Sequence, residues 1–291
     1  LTSPADERLG ASFGDEITQQ SVGVKMKKFI SPTRREWVEI AQRISLADPA
    51  SIDLIRERGT DVRIARALGP RGERVVVKLW NRPGLRGVMR RWSRTNPAGR
   101  EWDALRRLRA AGLEVPRPYA YLTGLGSPAV HTEALITGDL GLCSDAVDRF
   151  KALIREGDRT GELAFEETLI EVTRAMISLG YLDTDHRLPN FVVTPSGRPV
   201  RLDFELNLWH PFPRLWTRDY GLMLGTLIGS YVFAVQPDMD RVKAFARALR
   251  LRLDPPKSVL NRAAVRVDEM LSRQQAEIGL AIRVTDLWST P

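Results

Sequence analysis

The chain has 291 residues, of which 43% are hydrophobic and 27% are charged, an ordinary globular composition with enough apolar material for a sizeable core. Its single cysteine, Cys143, excludes an internal disulfide, and its three histidines lie far apart and beside no cysteine pair, which argues against a structural zinc site. The formal net charge of +8 at pH 7 indicates an anionic partner, which phosphate, nucleic acid or a membrane surface would each satisfy.

The first third of the chain is predicted to contain a polar arm, two helix starts and a pair of strands. Residues 1 to about 30 read as a loose polar arm without the apolar core of a secretory signal. Apolar residues at helical spacing predict a short helix at Arg34–Ile44. Two β-like runs, Val62–Leu68 and Arg74–Trp80, are joined by a turn of glycine and proline and predict a hairpin. An asparagine cap followed by a first-turn proline predicts a helix over 97–111.

The remainder of the chain is mainly helical. A strand is predicted at Ala129–Leu135 and an amphipathic helix at Leu163–Leu179. Two short strands, Phe191–Val193 and Val200–Leu202, follow a polar loop, and the chain beyond residue 215 is predicted to be helical. Strands followed by helices predict an α+β fold of two lobes. The predicted units are an N-terminal extension (1–55), a small lobe (56–136) and a large lobe (137–291).

The longest near-apolar run, Gly221–Val235, is too short to span a membrane and is predicted to be a buried helix. Its glycines at 221, 225 and 229 repeat a spacing used by membrane helix pairs, but close packing of two helices in a soluble core explains the same spacing. We therefore expect a cytoplasmic protein, with peripheral contact to the inner face of the cell membrane as a further expectation.

Two charged residues interrupt apolar patterns in the small lobe. Lys78 lies within an apolar strand, either as an edge residue that reaches solvent or as a cleft residue that binds phosphate oxygens. Glu101 shares the apolar face of the next helix with Leu105 and Leu108. A carboxylate on that face needs a cationic partner, because burying an unpaired charge is costly. Lys78 is the candidate partner, and an exposed, unpaired Glu101 is the alternative.

Three polar residues of the large lobe, Asp185, Asn190 and Asp203, have positions along the chain that suit catalysis and metal binding. Asp185 and Asn190 have the spacing of the catalytic aspartate and metal-binding asparagine in H-R-D-x-x-x-x-N. Asp203 follows the second strand of the next hairpin, where a carboxylate can chelate magnesium between nucleotide phosphates. Taken singly, the first pair also fits an ordinary polar turn, and Asp203 fits the end of a strand. The whole order of strand lysine, helix glutamate, Asp-x4-Asn, hairpin and Asp-Phe is hard to obtain by accident.

This order resembles the protein-kinase-like fold, and its wording is closest to the lipopolysaccharide kinase family, the group of the Kdo kinases and WaaP. In that family, as here, a lysine strand is followed by an arginine-containing stretch, a helix with a glutamate and a G-x-x-V-P-x-P turn, which is Gly112–Pro118 in this chain. The segment Thr132–Leu135 resembles the connection between lobes where adenine is usually held. The resemblance covers the chain from about Gly59 to about Val235. It implies a small lobe with an antiparallel sheet and a mainly helical large lobe.

The resemblance also implies a role for each of these residues in a reaction that uses ATP and Mg²⁺. Lys78 would bind the α- and β-phosphates and Glu101 would hold it, with Glu133 on the adenine side. Asp185 would position the acceptor hydroxyl and accept its proton, and Arg187 would neutralise the moving γ-phosphoryl group. The remaining implied roles are metal binding by Asn190 and Asp203 and support of the catalytic loop by Asp219.

The sequence departs from the kinase pattern at three places. Asp183 and Thr184 replace the His-Arg of the catalytic motif, which removes the usual receptor for an activation-loop phosphate. Glu205 replaces the glycine of Asp-Phe-Gly. No G-x-G-x-x-G precedes Lys78, and only Gly59–Asp61 lies where a phosphate-covering loop is expected.

The acceptor predicted from the sequence is a sugar hydroxyl, in lipopolysaccharide core or a related glycolipid. Residues 204–218 are too few for an activation loop and contain no A-P-E, so a long peptide has little to dock on. The arginine-rich stretch 82–100, with Met89 and Trp92, is either a solvated basic face or a contact for an anionic core sugar or acidic lipid headgroups. The alternatives are a small-molecule kinase of the aminoglycoside or choline type and a catalytically silent pseudokinase scaffold. A nucleic-acid partner has no recognisable motif in its support.

Overall fold

The computed structural model describes residues 33–58, 61–83, 96–125, 130–235, 238–278 and 288. The predicted polar arm over 1–30, the Gly59–Thr60 part of the expected phosphate-covering loop and the arginines between residues 84 and 95 lie outside the described residues. The first described element is a helix that begins with a capping box, in which Thr33 and Glu36 bond reciprocally.

A five-stranded antiparallel sheet forms the centre of the small lobe, with the strand order β1-β2-β3-β5-β4. Its strands are β1 (Asp53–Arg58), β2 (Val62–Leu68), β3 (Arg74–Pro83), β4 (Pro118–Thr123) and β5 (Val130–Gly138). The helices of this lobe are α1 (Arg34–Leu46) and α2 (Pro97–Ala110). The β2–β3 hairpin and both helices occur where the sequence predicts them, and α1 packs on the sheet.

The alternation of side chains along β3 gives the sheet two different faces. Val75 and Val77 are fully buried and join an apolar cluster with Trp37 of α1. The side chains of Val76 and Lys78 lie on the opposite face and line the cavity between the lobes. This alternation decides between the two positions open to Lys78 in the sequence: it is a cleft residue.

The described part of the large lobe consists of five helices and several very short strands. The helices are α3 (Ala146–Glu156), α4 (Arg159–Ser178), α5 (Thr217–Val235), α6 (Met239–Leu253) and α7 (Lys257–Ile278). The strands are β6 (Ser144–Asp145), β7 (Tyr181–Asp183), β8 (Phe191–Val193), β9 (Pro199–Arg201) and β10 (Asn207–Trp209). β7 pairs with β10, and β8 lies between β6 and β9. One apolar cluster joins α2 to the helices of this lobe, so the helix that carries Glu101 packs against both lobes.

The sequence analysis does not predict β1, β4 or α3. Four of the six residues of β1 are charged, so no apolar run marks it. β1 and β4 are the two edge strands of the sheet. Edge strands pair on one side only and therefore tolerate charged residues and proline. The strand predicted to end at Leu135 continues to Gly138, which moves the connection between the lobes toward the C-terminus.

The glycines of α5 allow α7 to approach closely. A Cβ at Gly221 would lie 2.5 Å from Cβ of Arg262, and a Cβ at Gly229 would lie 2.7 Å from Sδ of Met270. The repeat of small residues therefore serves helix packing inside the large lobe. Within the described residues, no helix has both the length and the apolar character needed to cross a membrane.

Replacing Gly225 with alanine is expected to lower the free energy of unfolding by about 2 kcal/mol. The added Cβ would lie 2.6 Å from the carbonyl oxygen of Ala263 and 2.6 Å from Cβ of Arg266, so α5 and α7 must separate. This cost exceeds the gain in helix propensity of about 1 kcal/mol. Urea unfolding measures the change, with Gly138→Ala as the control, because its Cβ would meet no atom nearer than 3.5 Å. Equal stability of the two variants would contradict the close packing.

Candidate active site

A cavity of about 360 Å³ lies between the two lobes, which is within the usual size of a small-molecule site. Apolar side chains of β2, β3 and β5 line it from the small lobe, and Val192 and Leu202 line it from the large lobe. Its lining also includes four of the polar residues predicted to form the site, namely Lys78, Glu101, Asn190 and Asp203.

The ammonium group of Lys78 is buried and contacts three carboxylates at once. Nζ lies 3.1 Å from Oε2 of Glu101 and 3.2 Å from Oδ1 of Asp203. It lies 2.6 Å from Oε1 of Glu205 and 4.9 Å from the centroid of the Trp80 ring. The structure therefore brings the predicted Lys78–Glu101 pair together and adds two acidic residues that lie far along the chain.

The surplus of carboxylates shifts the proton equilibria of this cluster. Burial opposes the charged form of Lys78, but the three carboxylates outweigh it and raise its pKa above the ordinary value. Burial raises the pKa of Glu101 to about 7, against the attraction of Lys78. Burial also acts on Asp203, but Lys78 and the backbone amide of Glu205 hold its pKa below the ordinary value. Three carboxylates face a single ammonium group, so the cluster has oxygen ligands to offer a further cation.

The loop between β7 and β8 holds the carboxylate of Asp185 from two sides. Nε of Arg187 lies 3.0 Å from Oδ1 of Asp185. Nδ2 of Asn190 donates to Oδ2 of Asp185 at 3.0 Å and to its backbone oxygen at 2.8 Å. The side chain of Asp185 keeps 31% of its surface exposed, so the carboxylate is oriented and still accessible.

Arg201 is fully buried and joins the Asp185 loop to Asp203. Its Nη2 lies 2.5 Å from Oδ2 of Asp183 and donates to the backbone oxygen of Asp203 at 2.8 Å. Its Nη1 lies 2.7 Å from Nδ1 of His186. Asp183 in turn accepts a hydrogen bond from the backbone amide of Asp185 at 2.8 Å. One guanidinium therefore sets the position of the loop relative to Asp203.

The hydrogen bonds of His186 define its protonation state. The hydroxyl of Thr173 donates to the backbone oxygen of Leu169 at 2.7 Å, so it accepts from Nε2–H of His186 at 2.8 Å. Nδ1 of His186 is then unprotonated and accepts from Arg201. Burial lowers the pKa of His186 well below the ordinary value, and the charge of Arg201 lowers it further. His186 is a neutral link between α4 and the guanidinium.

The chain was compared with protein families, curated proteins and solved structures, and the solved structures include a similar fold. No protein-family model matches the chain, and no curated protein matches it. The chain is similar to the structure of WaaP in complex with acyl carrier protein, with a TM-score of 0.56 and 19% identity over 87% of this chain and 92% of that chain. The fold is that of WaaP. The bilobal protein-kinase-like fold predicted from the sequence is therefore confirmed.

A second solved structure is that of WbdD with a kinase inhibitor. It covers 75% of this chain and 46% of its own, at 11% identity and a TM-score of 0.41.

Support for the loop that carries Asp185 comes from the middle of α5. The hydroxyl of Thr226 donates to the backbone oxygen of Thr184 at 3.2 Å, and the hydroxyl of Ser230 accepts from the backbone amide of Leu188 at 3.0 Å. Asp219, to which the resemblance assigned this support, instead pairs with His210, whose Nε2 lies 3.4 Å from Oδ2 of Asp219. The two hydroxyl residues lie about two and three helical turns further along the same helix.

Glu133, which was predicted to lie on the adenine side, is away from the cavity. It is buried in the middle of β5, opposite Trp80 in β3 and Thr123 in β4. In the WaaP fold of this chain the lobes connect after Gly138, and the cavity is lined there by residues 137–141. The sequence analysis placed the connection too early, because it ended the strand at Leu135.

Two residues of the site are missed by the sequence analysis. Glu205 is noted only as a departure from Asp-Phe-Gly; it lies in a turn whose backbone amide at Glu205 donates to Oδ1 of Asp203, and no sequence pattern marks it. Arg201 is treated as part of an apolar strand. A lone arginine between two apolar residues is the same signal that drew attention to Lys78, and it could have identified Arg201 as a buried cation.

The pKa of His186 predicts a dependence of stability on pH. The folded protein keeps His186 neutral while the unfolded chain binds a proton below about pH 6.5, so stability falls as the pH drops below that value. Replacing His186 with asparagine is expected to reduce the loss of unfolding free energy between pH 6.5 and 5 by about 1–2 kcal/mol. Urea unfolding at several pH values measures this, and His210→Asn controls for loss of a histidine elsewhere. Parallel pH profiles for His186→Asn and the wild type would contradict the assignment.

Proposed function

We propose that this protein is a kinase that uses ATP and Mg²⁺ to phosphorylate a sugar hydroxyl, in lipopolysaccharide core or a related glycolipid. The observation that carries the proposal is the convergence of Lys78, Glu101 and Asp203 at an interlobe cavity. Phosphoryl transfer depends on positioning and charge neutralisation, and this cluster supports both. The order of these residues resembles the lipopolysaccharide kinases, and the likeness to WaaP in fold is consistent with that resemblance.

The cavity suits a nucleotide. Its apolar walls, from β2 and β3 on one side and Val192 and Leu202 on the other, would enclose a flat base. The backbone at 138–141 lies along the wall and offers groups for hydrogen bonds to the base edge. Lys78 then binds the α- and β-phosphates as a point charge, and Glu101 keeps its ammonium in the cleft.

The donor set beside Lys78 suits a hard divalent cation. Oxygen atoms of Glu101, Asp203 and Glu205 lie within 4.8 Å of one another, and Mg²⁺ prefers such carboxylate ligands. Asn190 turns its Nδ2 toward Asp185, which leaves its amide oxygen to serve as a ligand. We assign the cation to Asn190 and Asp203 and add Glu205 as a candidate ligand. A bound Mg²⁺ supplies positive charge that offsets the phosphate oxygens.

Asp185 is the group that meets the acceptor. Its carboxylate is oriented by Arg187 and Asn190 and remains partly exposed, as a group that accepts a proton from an incoming hydroxyl must be. Arg187 lies 3.0 Å from Asp185, so its positive charge would stabilise the negative charge of the phosphoryl group during transfer. The acceptor class follows from the short segment 204–218, which leaves a protein substrate little to dock on and favours a compact hydroxyl compound.

A catalytically silent scaffold is the second candidate, and one contact favours it. Glu205 lies 2.6 Å from Nζ of Lys78, where phosphate oxygens would bind. A carboxylate that keeps this position in the presence of ATP would block the phosphate site. Nucleotide binding and phosphoryl transfer therefore need separate experiments.

Replacing Asp203 with asparagine is expected to weaken binding of ATP in the presence of Mg²⁺ by about 10–100-fold, because the substitution removes a charged metal ligand. Thermal-shift titration with ATP, with and without Mg²⁺, measures the affinity, since a ligand of the folded state raises the melting temperature. Asp148→Asn, which removes an exposed carboxylate of α3, is the matched control. Unchanged affinity in Asp203→Asn would remove this residue from the metal site, and no shift in the wild type would favour a scaffold without nucleotide.

Replacing Asp185 with asparagine is expected to lower the rate of phosphoryl transfer by about 10²–10⁴-fold while leaving the ATP-dependent thermal shift in place, because Asp185 acts on the acceptor. Transfer of labelled γ-phosphate is measured against a panel of dephosphorylated core oligosaccharide, aminoglycosides and choline. Preference for the core sugar supports the proposal, and preference for the small amines would replace it with the small-molecule kinase. ATP binding without transfer to any member of the panel would favour the scaffold.

A further inference from the structure

Exposed apolar side chains are concentrated between β10 and α5. Trp209, Phe212, Leu215 and Trp216 are 51%, 66%, 77% and 51% exposed, and we call these four the aromatic rim. Within the described residues, the exposed tryptophan and phenylalanine side chains all belong to this rim. Single exposed apolar residues need no explanation, but a group of large ones close together marks an interaction surface.

The rim is held in place by the fold. β10 pairs with β7, which sets Trp209 opposite Tyr181. The backbone amide of His210 donates to the oxygen of Gly180 at 2.6 Å, and the His210 ring stacks on Trp216 with centroids 4.3 Å apart. Gly180 has a φ of 84°, and a Cβ there would collide with the backbone of His210. These contacts keep the rim ordered while its large side chains remain in solvent.

The charge around the rim is positive. Residues 206–218 contain no acidic residue, and Arg214 and Arg218 are both exposed. The guanidinium of Arg107 in α2 lies 5.7 Å from the ring of Trp209 and is paired with Asp103, so Arg214 and Arg218 supply the uncompensated charge of the segment. The carboxylate of the neighbouring Asp219 is largely buried, 3.4 Å from Nε2 of His210. The surface therefore combines aromatic rings with guanidinium groups, side chains that suit an apolar layer beneath anionic groups.

The rim lies directly beside the loop assigned to the acceptor. In the β7–β10 pair, Asn207 is opposite Asp183, and Asp183 bonds to the backbone amide of Asp185. A surface bound at the rim is therefore close to the carboxylate that meets the acceptor hydroxyl.

We propose that the aromatic rim docks this protein on the surface of an anionic phospholipid bilayer. Tryptophan and phenylalanine partition into the interfacial layer of a membrane, and arginine pairs with lipid phosphates. A symmetric dimer through the rim would bring Arg214 and Arg218 against their own copies, which like-charge repulsion opposes. The inference rests on the proposed function, because it explains how a lipid-borne acceptor reaches Asp185.

The test is co-sedimentation of the full chain with vesicles, without nucleotide. Wild type is expected to bind equimolar phosphatidylglycerol–phosphatidylcholine vesicles in a salt-sensitive way and to bind pure phosphatidylcholine vesicles poorly. Phe212→Ser with Leu215→Ser is expected to weaken binding to the anionic vesicles by about tenfold or more, because two apolar side chains no longer enter the interface. The matched control is Leu46→Ser with Leu251→Ser, since these leucines are 87% and 74% exposed elsewhere.

Arg214→Gln with Arg218→Gln tests the charge of the rim. This variant is expected to lose most of the preference for anionic vesicles, because each arginine near the surface contributes to the attraction. An unaltered ATP–Mg²⁺ thermal shift in both rim variants would show that the cleft is intact.

Several outcomes would overturn the proposal. These are equal binding by wild type and the Phe212/Leu215 variant, equal binding to anionic and zwitterionic vesicles, and no vesicle binding at all. Self-association of wild type that the Phe212/Leu215 variant abolishes would assign the rim to a dimer instead. Vesicle binding needs neither ATP nor an acceptor, so failure of the kinase assays leaves this test valid.

Discussion

The buried guanidinium of Arg201 is the interaction on which the geometry of the site depends. It lies over the rings of Phe191 and Phe204, at 5.7 and 5.2 Å from their centroids, so its charge has to be met inside the protein. Asp183 supplies the counter-charge, and a neutral histidine and a backbone carbonyl take further hydrogen bonds. Because a guanidinium is planar and donates in fixed directions, its partners are held in one relative position. Breaking a buried pair of this kind costs about 3–5 kcal/mol, since the remaining charge is left without a partner.

The two buried cations, Lys78 in the cavity and Arg201 behind it, have different numbers of carboxylate partners, and this difference separates a chemical role from a structural one. Arg201 has one carboxylate partner and neutral acceptors. Lys78 has three carboxylate partners, and burial, aided by the charge of Asp203, raises the pKa of Glu101 to about 7 against the attraction of Lys78. A surplus of buried negative charge destabilises a protein, so its presence in a cleft is typical of a site that a cation occupies during function.

The sequence is most informative where one residue breaks a regular pattern. Lys78 interrupts an apolar strand and Glu101 lies on an apolar helix face, and elementary periodicity is enough to pair them. The partners of Arg201 could not be derived in this way, because they lie 15 and 18 residues away along a loop whose path only the fold determines. Glu133 shows a second limit. Its own segment is correctly predicted as a strand, but the length of that strand depends on pairing with β3 and β4.

The apolar run that forms helix α5 makes contacts on more than one side. Its glycines let α7 approach on one side, while Thr226 and Ser230 hold the loop that carries Asp185 on another. A helix buried on every side has no polar face, so its composition approaches that of a membrane segment. The same helix begins where the aromatic rim ends, and its hydroxyl groups bond to the backbone on both sides of Asp185. The surface assigned to the membrane and the loop assigned to the acceptor are therefore connected through one rigid element, which fixes the position of each relative to the other.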